Sequence, residues 1–155
     1  MEIVNKNWII NIISNLKSYI AFDTHSNEVK IDDLPVSFPW EYEKSGILLE
    51  VKEYNENLFY SFTIDWLHLV IISNDKFELK EDILSFFWDV DILIMAWTKE
   101  SIKIYENVEA KVVIPYWEWK HTFLTNLGQN IEEVVSYKVK WELGLETTEF
   151  VNLAG

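Results

Sequence analysis

A chain of 155 residues with 49% hydrophobic and 15% aromatic content can bury one sizeable core, which excludes disorder despite a formal net charge of −13. Its 26 Asp and Glu face 13 Lys and no Arg, so the surface repels polyanions and lacks the planar guanidinium that grips phosphate; direct nucleic-acid binding is not expected. Cysteine is absent, which excludes disulfides, a thiolate nucleophile and zinc sites of the Cys type, and suits a reducing compartment.

At the N-terminus, Trp8, Ile9, Ile12, Ile13, Leu16, Tyr19 and Ile20 recur at three- and four-residue steps. That spacing predicts an amphipathic helix over residues 5–21, packed on a sheet. Asn11, Ser14, Asn15 and Lys17 interrupt the segment and no small-residue cleavage site follows, so it reads as a cytoplasmic start rather than a signal peptide. A short strand over 28–32 leads into a connection over 33–45, which contains Pro35 and Pro39 and displays Trp40, Glu41 and Glu43.

Strands over 47–54 and 58–66 flank Asn55, Glu56 and Asn57, a hairpin-length link of turn-favouring type. In the second strand Leu58, Tyr60, Phe62, Ile64 and Trp66 alternate with Phe59, Ser61, Thr63 and Asp65, which assigns one face to the core. Residues 67–72 continue that strand or bend into the next element. A turn over 73–75 precedes a short helix over 80–88, with Ile83, Leu84, Phe87 and Trp88 on its apolar side. Three strands follow at 91–97, 101–106 and 111–115, and a last one at 135–143, where Val135, Tyr137, Val139, Trp141 and Leu143 alternate with polar residues. No apolar run approaches the roughly 18 residues that span a bilayer, so no membrane role is expected.

This order predicts a single α+β domain over residues 1–155. Its sheet is mainly antiparallel, with the N-terminal amphipathic helix and the second short helix packed on it. The surplus acid is segmental: residues 32–56 hold seven acids against Lys44 and Lys52, residues 75–91 six against Lys76 and Lys80, and residues 132–149 five against Lys138 and Lys140. Such segments either serve solubility or converge into a patch that steers a cationic protein.

Catalytic signatures are missing. His25, His68 and His121 have no i,i+4 partner, so no metal site is expected; with four Gly there is no phosphate loop, and no cofactor or catalytic residue is assigned. The expectation is a non-catalytic protein-binding domain, an acidic inhibitor or immunity-type protein that neutralises a basic partner such as a bacterial nuclease toxin, as a monomer or small homo-oligomer. Its contact set would comprise Trp40, Glu41 and Glu43, then Asp75, Glu78, Glu81 and Asp82, with Trp117 and Trp119. The alternatives are a DNA mimic, or a carbohydrate-binding or glycoside-hydrolysing domain in which Glu118, between Trp117 and Trp119, works with Asp65 or Glu133.

Overall fold

A computed structural model describes residues 1–155 except 75–77, 99, 118–119, 141 and 145–146. The chain opens with β1 (Glu2–Lys6), β2 (Ile9–Ile13), β3 (Tyr19–Asp23), β4 (Val29–Ile31), β5 (Leu34–Val36), β6 (Glu41–Lys44), β7 (Ile47–Tyr54), β8 (Asn57–Ile64) and β9 (Leu67–Ile72). Helices and strands then alternate: α1 (Glu81–Phe86), β10 (Ile92–Ala96), α2 (Ser101–Val108), β11 (Val112–Tyr116) and α3 (Lys120–Asn126), before β12 (Ser136–Lys138) and β13 (Glu149–Phe150). Among the described residues no helix is long and apolar enough to cross a membrane.

Two sheets result. The first is antiparallel throughout, in the order β12-β1-β2-β3-β4-β5. The second runs β13-β11-β10-β9-β8-β7-β6, antiparallel from β6 to β9 and parallel from β9 to β13. Local chemistry makes the hairpins: Asn7-Trp8, Ser45-Gly46, Asn55-Glu56 and Asp65-Trp66 each put two consecutive residues at positive φ. That mirror-image turn matches the twist of two paired strands.

Residues 5–21, expected to be a helix, are therefore a meander of β1, β2 and β3. The three- and four-residue spacing is real, but it coincides with strand-length repeats: Ile10 and Ile12 on β2 and Ile20 and Phe22 on β3 point inward two residues apart. β-branched Ile packs readily on such a pleated face, and burial against the second sheet overrides the helical reading. The mainly antiparallel, helix-packed α+β domain is corrected accordingly to two stacked sheets, one of them mixed, with helices on the outside.

Segment 101–106, expected to be a strand, forms α2, whose buried Ser101, Ile104 and Val108 lie three and four residues apart. Parallel β10 and β11 need a crossover of this kind between them. Of the strand expected over 135–143, residues 136–138 pair with β1, opposite Val4, Ile3 and Glu2; Trp141 lies outside the described residues.

The core has two storeys. Ile3, Ile10, Ile12, Ile20 and Phe22 of the first sheet meet Leu69, Ile71, Ile92, Ile94 and Ile114 of the second. On the other side of the second sheet, Val70, Ile72, Leu93, Met95 and Val113 pack against Ile83 and Phe86 of α1, Ile104 of α2 and Phe123 of α3.

Polar groups tie the sheets together at one end. Ser18 Oγ donates to the Ser45 carbonyl (3.0 Å), and the Asn15 amide donates to Asp65 (2.8 Å). Asp32 accepts from the Tyr19 amide (3.0 Å) and from Ser45 Oγ (2.8 Å), and these donors hold its carboxyl below the usual range. A lowered folded-state value means that the stabilisation is fully present above the unfolded-state value of about 3.9, and is lost as pH falls through the folded one. The stability gap between the native chain and Asp32→Asn, measured by urea unfolding across pH, is expected to be widest near neutrality and to close below about pH 4. A gap independent of pH would show that the carboxylate does not hold these turns.

Candidate functional site

Ligands of sheets with parallel strands lie outside the carboxyl ends of those strands. Here the register sets Ile72, Met95 and Pro115 side by side on β9, β10 and β11. Two residues further on stand Asn74, Trp97 and Trp117, on strands about 4.8 Å apart. The turn after β3 arrives at the same edge: Trp117 Nε1 donates to the Thr24 carbonyl (3.2 Å), and Tyr60 Oη donates to that of Asn27 (3.3 Å). Burial pushes the Tyr60 phenol up to about 12, so it stays a neutral donor.

Thr24 is buried and bonds the Trp8 carbonyl through Oγ1 (2.9 Å), while the Trp8 and His25 rings meet edge to face at 5.1 Å. Trp117 holds φ 81, a left-handed backbone that a bulky residue seldom adopts. Below it Tyr116 is buried beside Phe22, with ring centroids 5.6 Å apart. Its hydroxyl has no hydrogen-bond partner among the described residues, and burial raises its pKa. Ser101 Oγ donates to the Ala96 carbonyl (2.9 Å) and accepts the Thr98 amide (3.0 Å), fixing the turn after β10.

The edge offers amides, hydroxyls and indoles. Of the imidazoles, His25 is on the turn beside Trp8 and His121 is exposed on α3. His68 sits near the amino end of β9, about 13 Å of strand away from the carboxyl edge. Its Nδ1 donates to the Asp89 carbonyl (3.1 Å), which can only accept, and its Nε2 is hydrogen-bonded with Ser61 Oγ at 2.6 Å. Among the described residues no group of three or more His, Cys, Asp or Glu could hold a metal ion.

The residues singled out from sequence do not gather in one place. Trp40 is exposed just before β6, and Glu41 and Glu43 point outward on β6. Glu78 pairs with Lys80 (3.5 Å), and Glu81 and Asp82 begin α1. Trp117 alone of the set reaches the carboxyl edge; Asp75, Glu118 and Trp119 lie outside the described residues. Asp65 occupies the β8–β9 turn and pairs with the N-terminal ammonium (3.6 Å), whereas Glu133 pairs with Lys120 (3.1 Å). Thr24, Asn74 and Tyr116 were not singled out. A readable signal for that edge was the succession of apolar runs followed by Ser73-Asn74, Trp97-Thr98 and Tyr116-Trp117, which marks three strand ends.

No protein-family model matches the sequence, and no curated protein matches it. Among solved structures it is similar to a candidate Zn-dependent hydrolase of the metallo-beta-lactamase superfamily from Thermotoga maritima, at TM-score 0.75 and 16% identity, over 99% of this chain and 100% of that one. The likeness gives the fold. It also corrects the expectation of a non-catalytic acidic inhibitor or immunity-type protein, because the neighbour is described as a hydrolase; Glu118 and Trp119 of the glycoside-hydrolysing alternative lie outside the described residues. The composition behind that expectation has a structural source: ten of the aromatic residues, among them Phe22, Phe59, Phe62, Trp97 and Phe123, are core, and acids such as Glu41, Glu43, Glu53 and Glu56 line exposed strands and turns.

Tyr116→Phe removes a buried hydroxyl that lacks a partner among the described residues, at no cost in shape. It is expected to stabilise the fold by about 1 kcal/mol, read as a rise of roughly 2–4 °C in the thermal midpoint. A fall in the midpoint would mean that the hydroxyl is satisfied.

Proposed function

We propose that this chain recognises a flat, uncharged small molecule at the carboxyl edge of β9, β10 and β11, and that it does not perform zinc-dependent hydrolysis there. One observation carries the reading: among the described residues the side chains that meet at that edge are neutral apart from Asp23, whose carboxylate is taken up by the amides of His25 and Ser26. Zinc in hydrolases is held by three protein ligands drawn from His, Asp, Glu or Cys, with an open fourth position. The described residues at the edge supply His25 and otherwise Thr24, Asn27, Asn74, Thr98 and Trp117. His25 is directed toward the Trp8 ring, and His68 is spent on Ser61 and Asp89 at the far end of the sheet.

Amides, hydroxyls and an indole face suit hydrogen bonding and stacking rather than Lewis-acid chemistry. The −13 net charge adds a cost to any anionic ligand. Trp117, pinned at its Nε1 to Thr24, would supply the stacking surface, and the Tyr116 hydroxyl a donor at its base.

Metal analysis of the protein purified without chelators is expected to give far less than one zinc per chain, with no chelator-sensitive hydrolysis of nitrophenyl esters, bis-nitrophenyl phosphate or a chromogenic β-lactam. Nile red, a neutral planar probe, should bind the native chain and lose that binding in Trp117→Ala but not in Trp66→Ala. Stoichiometric zinc with chelator-sensitive turnover would refute the proposal, as would Nile red binding indifferent to Trp117.

A further inference from the structure

Helices α1, α2 and α3 cover the outer face of the second sheet over β9, β10 and β11 and reach Phe59 of β8, which packs on Phe87, and Lys52 of β7, which lies over Phe86; the face stays open over β6 and around Leu48, Glu50, Ser61 and Thr63. Two concavities of about 380 and 450 Å³ lie on the open part and share Glu43, Leu48 and Thr63, so they form one groove. At one end its walls are apolar: Leu16 is 80% exposed, Trp66 94% and Leu48 49%. At the other end Glu41, Glu43 and Glu50 line it.

Both ends hold features that the fold itself does not require. Glu41 is registered directly opposite Glu50, and Glu43 opposite Leu48. Like charges directly opposite on antiparallel strands are destabilising, and the diagonal places Glu43 about 7–8 Å from Glu50. Lys52 reaches Glu50 (3.4 Å), while Glu41 and Glu43 have no cation within ion-pair distance among the described residues. At the apolar end Trp66 occupies the second position of a turn at φ 68, where Gly or Asn is the ordinary choice, and presents its indole to solvent. An exposed aromatic on strained backbone beside unneutralised carboxylates is a combination that a partner would relieve.

We infer that this groove docks a cationic segment of another protein, an extended stretch in which an apolar side chain seats among Leu16, Leu48 and Trp66 while Lys or Arg residues meet Glu41, Glu43 and Glu50. Charge complementarity selects the occupant. A second copy of this chain would bring the same acids to the same face and a further −13, so self-pairing is opposed. The groove lies on the outer face of the second sheet, away from the carboxyl edge, and the inference stands independently of the small-molecule reading.

The test uses the full chain and a blocked hexapeptide alternating Lys and Leu, titrated calorimetrically at low and high salt. Binding at one site is expected, weakened roughly tenfold or more in the Glu41→Gln/Glu43→Gln double variant and little changed in Glu132→Gln/Glu142→Gln, which removes the same charge elsewhere. Trp66→Gly suits the positive φ, so it should keep or raise the thermal midpoint while it weakens the peptide to a similar degree. Equal loss in the two double variants would reduce the effect to diffuse charge and overturn the inference. So would peptide affinity unchanged by Trp66→Gly, equal binding of a Glu-Leu hexapeptide or of spermine, or a salt-stable dimer of the native chain that Trp66→Gly dissolves.

Discussion

The strands β9, β10 and β11 are apolar on both faces, and each face has to be covered. Side chains alternate, so Ile71, Ile94 and Ile114 demand one lid and Val70, Leu93 and Val113 another. The antiparallel first sheet supplies one cover and the three helices the other. Parallel strands in turn oblige the chain to cross over between them, which is why α1 and α2 fall where they do, and why three strand ends finish at a common edge. The helices reach Phe59 of β8 and Lys52 of β7 and stop short of β6, and this leaves an exposed strip on the same sheet.

Many of the polar side chains at the ends of the sheets serve to fix turns. Lys111 donates to Asp91 at 2.6 Å, and that hydrogen bond raises the lysine's pKa; Asp91 also accepts the His68 amide at 2.8 Å. Asp23 is held below the ordinary carboxylate range by the amides of Ser26 and His25. Lys120 is buried, yet it donates to the Leu153 carbonyl at 2.6 Å and to Glu133, so its charge is compensated rather than stranded. Groups committed in this way are poor candidates for catalysis. Among the described residues Glu41, Glu43 and the Tyr116 hydroxyl carry no such commitment.

How much of this was legible in the sequence depended on whether a pattern was local. The hairpin of β7 and β8 follows from alternation around Asn55 and Glu56, whereas the connection expected over 33–45 holds β5 and β6, and Glu41 and Glu43 are exposed because they lie on the outward face of an edge strand. The helix expected over 5–21 failed because Ile9, Ile12, Ile13, Tyr19 and Ile20 satisfy a helical period while lying on strands, with Trp8 and Leu16 in the turns that join them. The carboxyl edge failed for a different reason: Asn74, Trp97 and Trp117 are neighbours through pairing register alone, and Trp117 meets Thr24 across 93 residues. Reading α2 as a strand hid the crossover and, with it, the parallel order from which the edge could have been deduced.

The segment after α3 is threaded into both sheets. β12 extends the first beside β1, β13 extends the second beside β11, Val134 bridges to Leu153, and Tyr137 Oη donates to Glu149 at 3.2 Å between them. A sandwich clasped in this manner cannot breathe as two leaves about a hinge, because opening would tear backbone ladders on both sides at once. Adjustment to an incoming molecule must then be confined to the turns at the rims, with the strands acting as a stiff chassis. Rates of association should accordingly be set by rim-loop fluctuations on the nanosecond to microsecond scale rather than by slow domain closure.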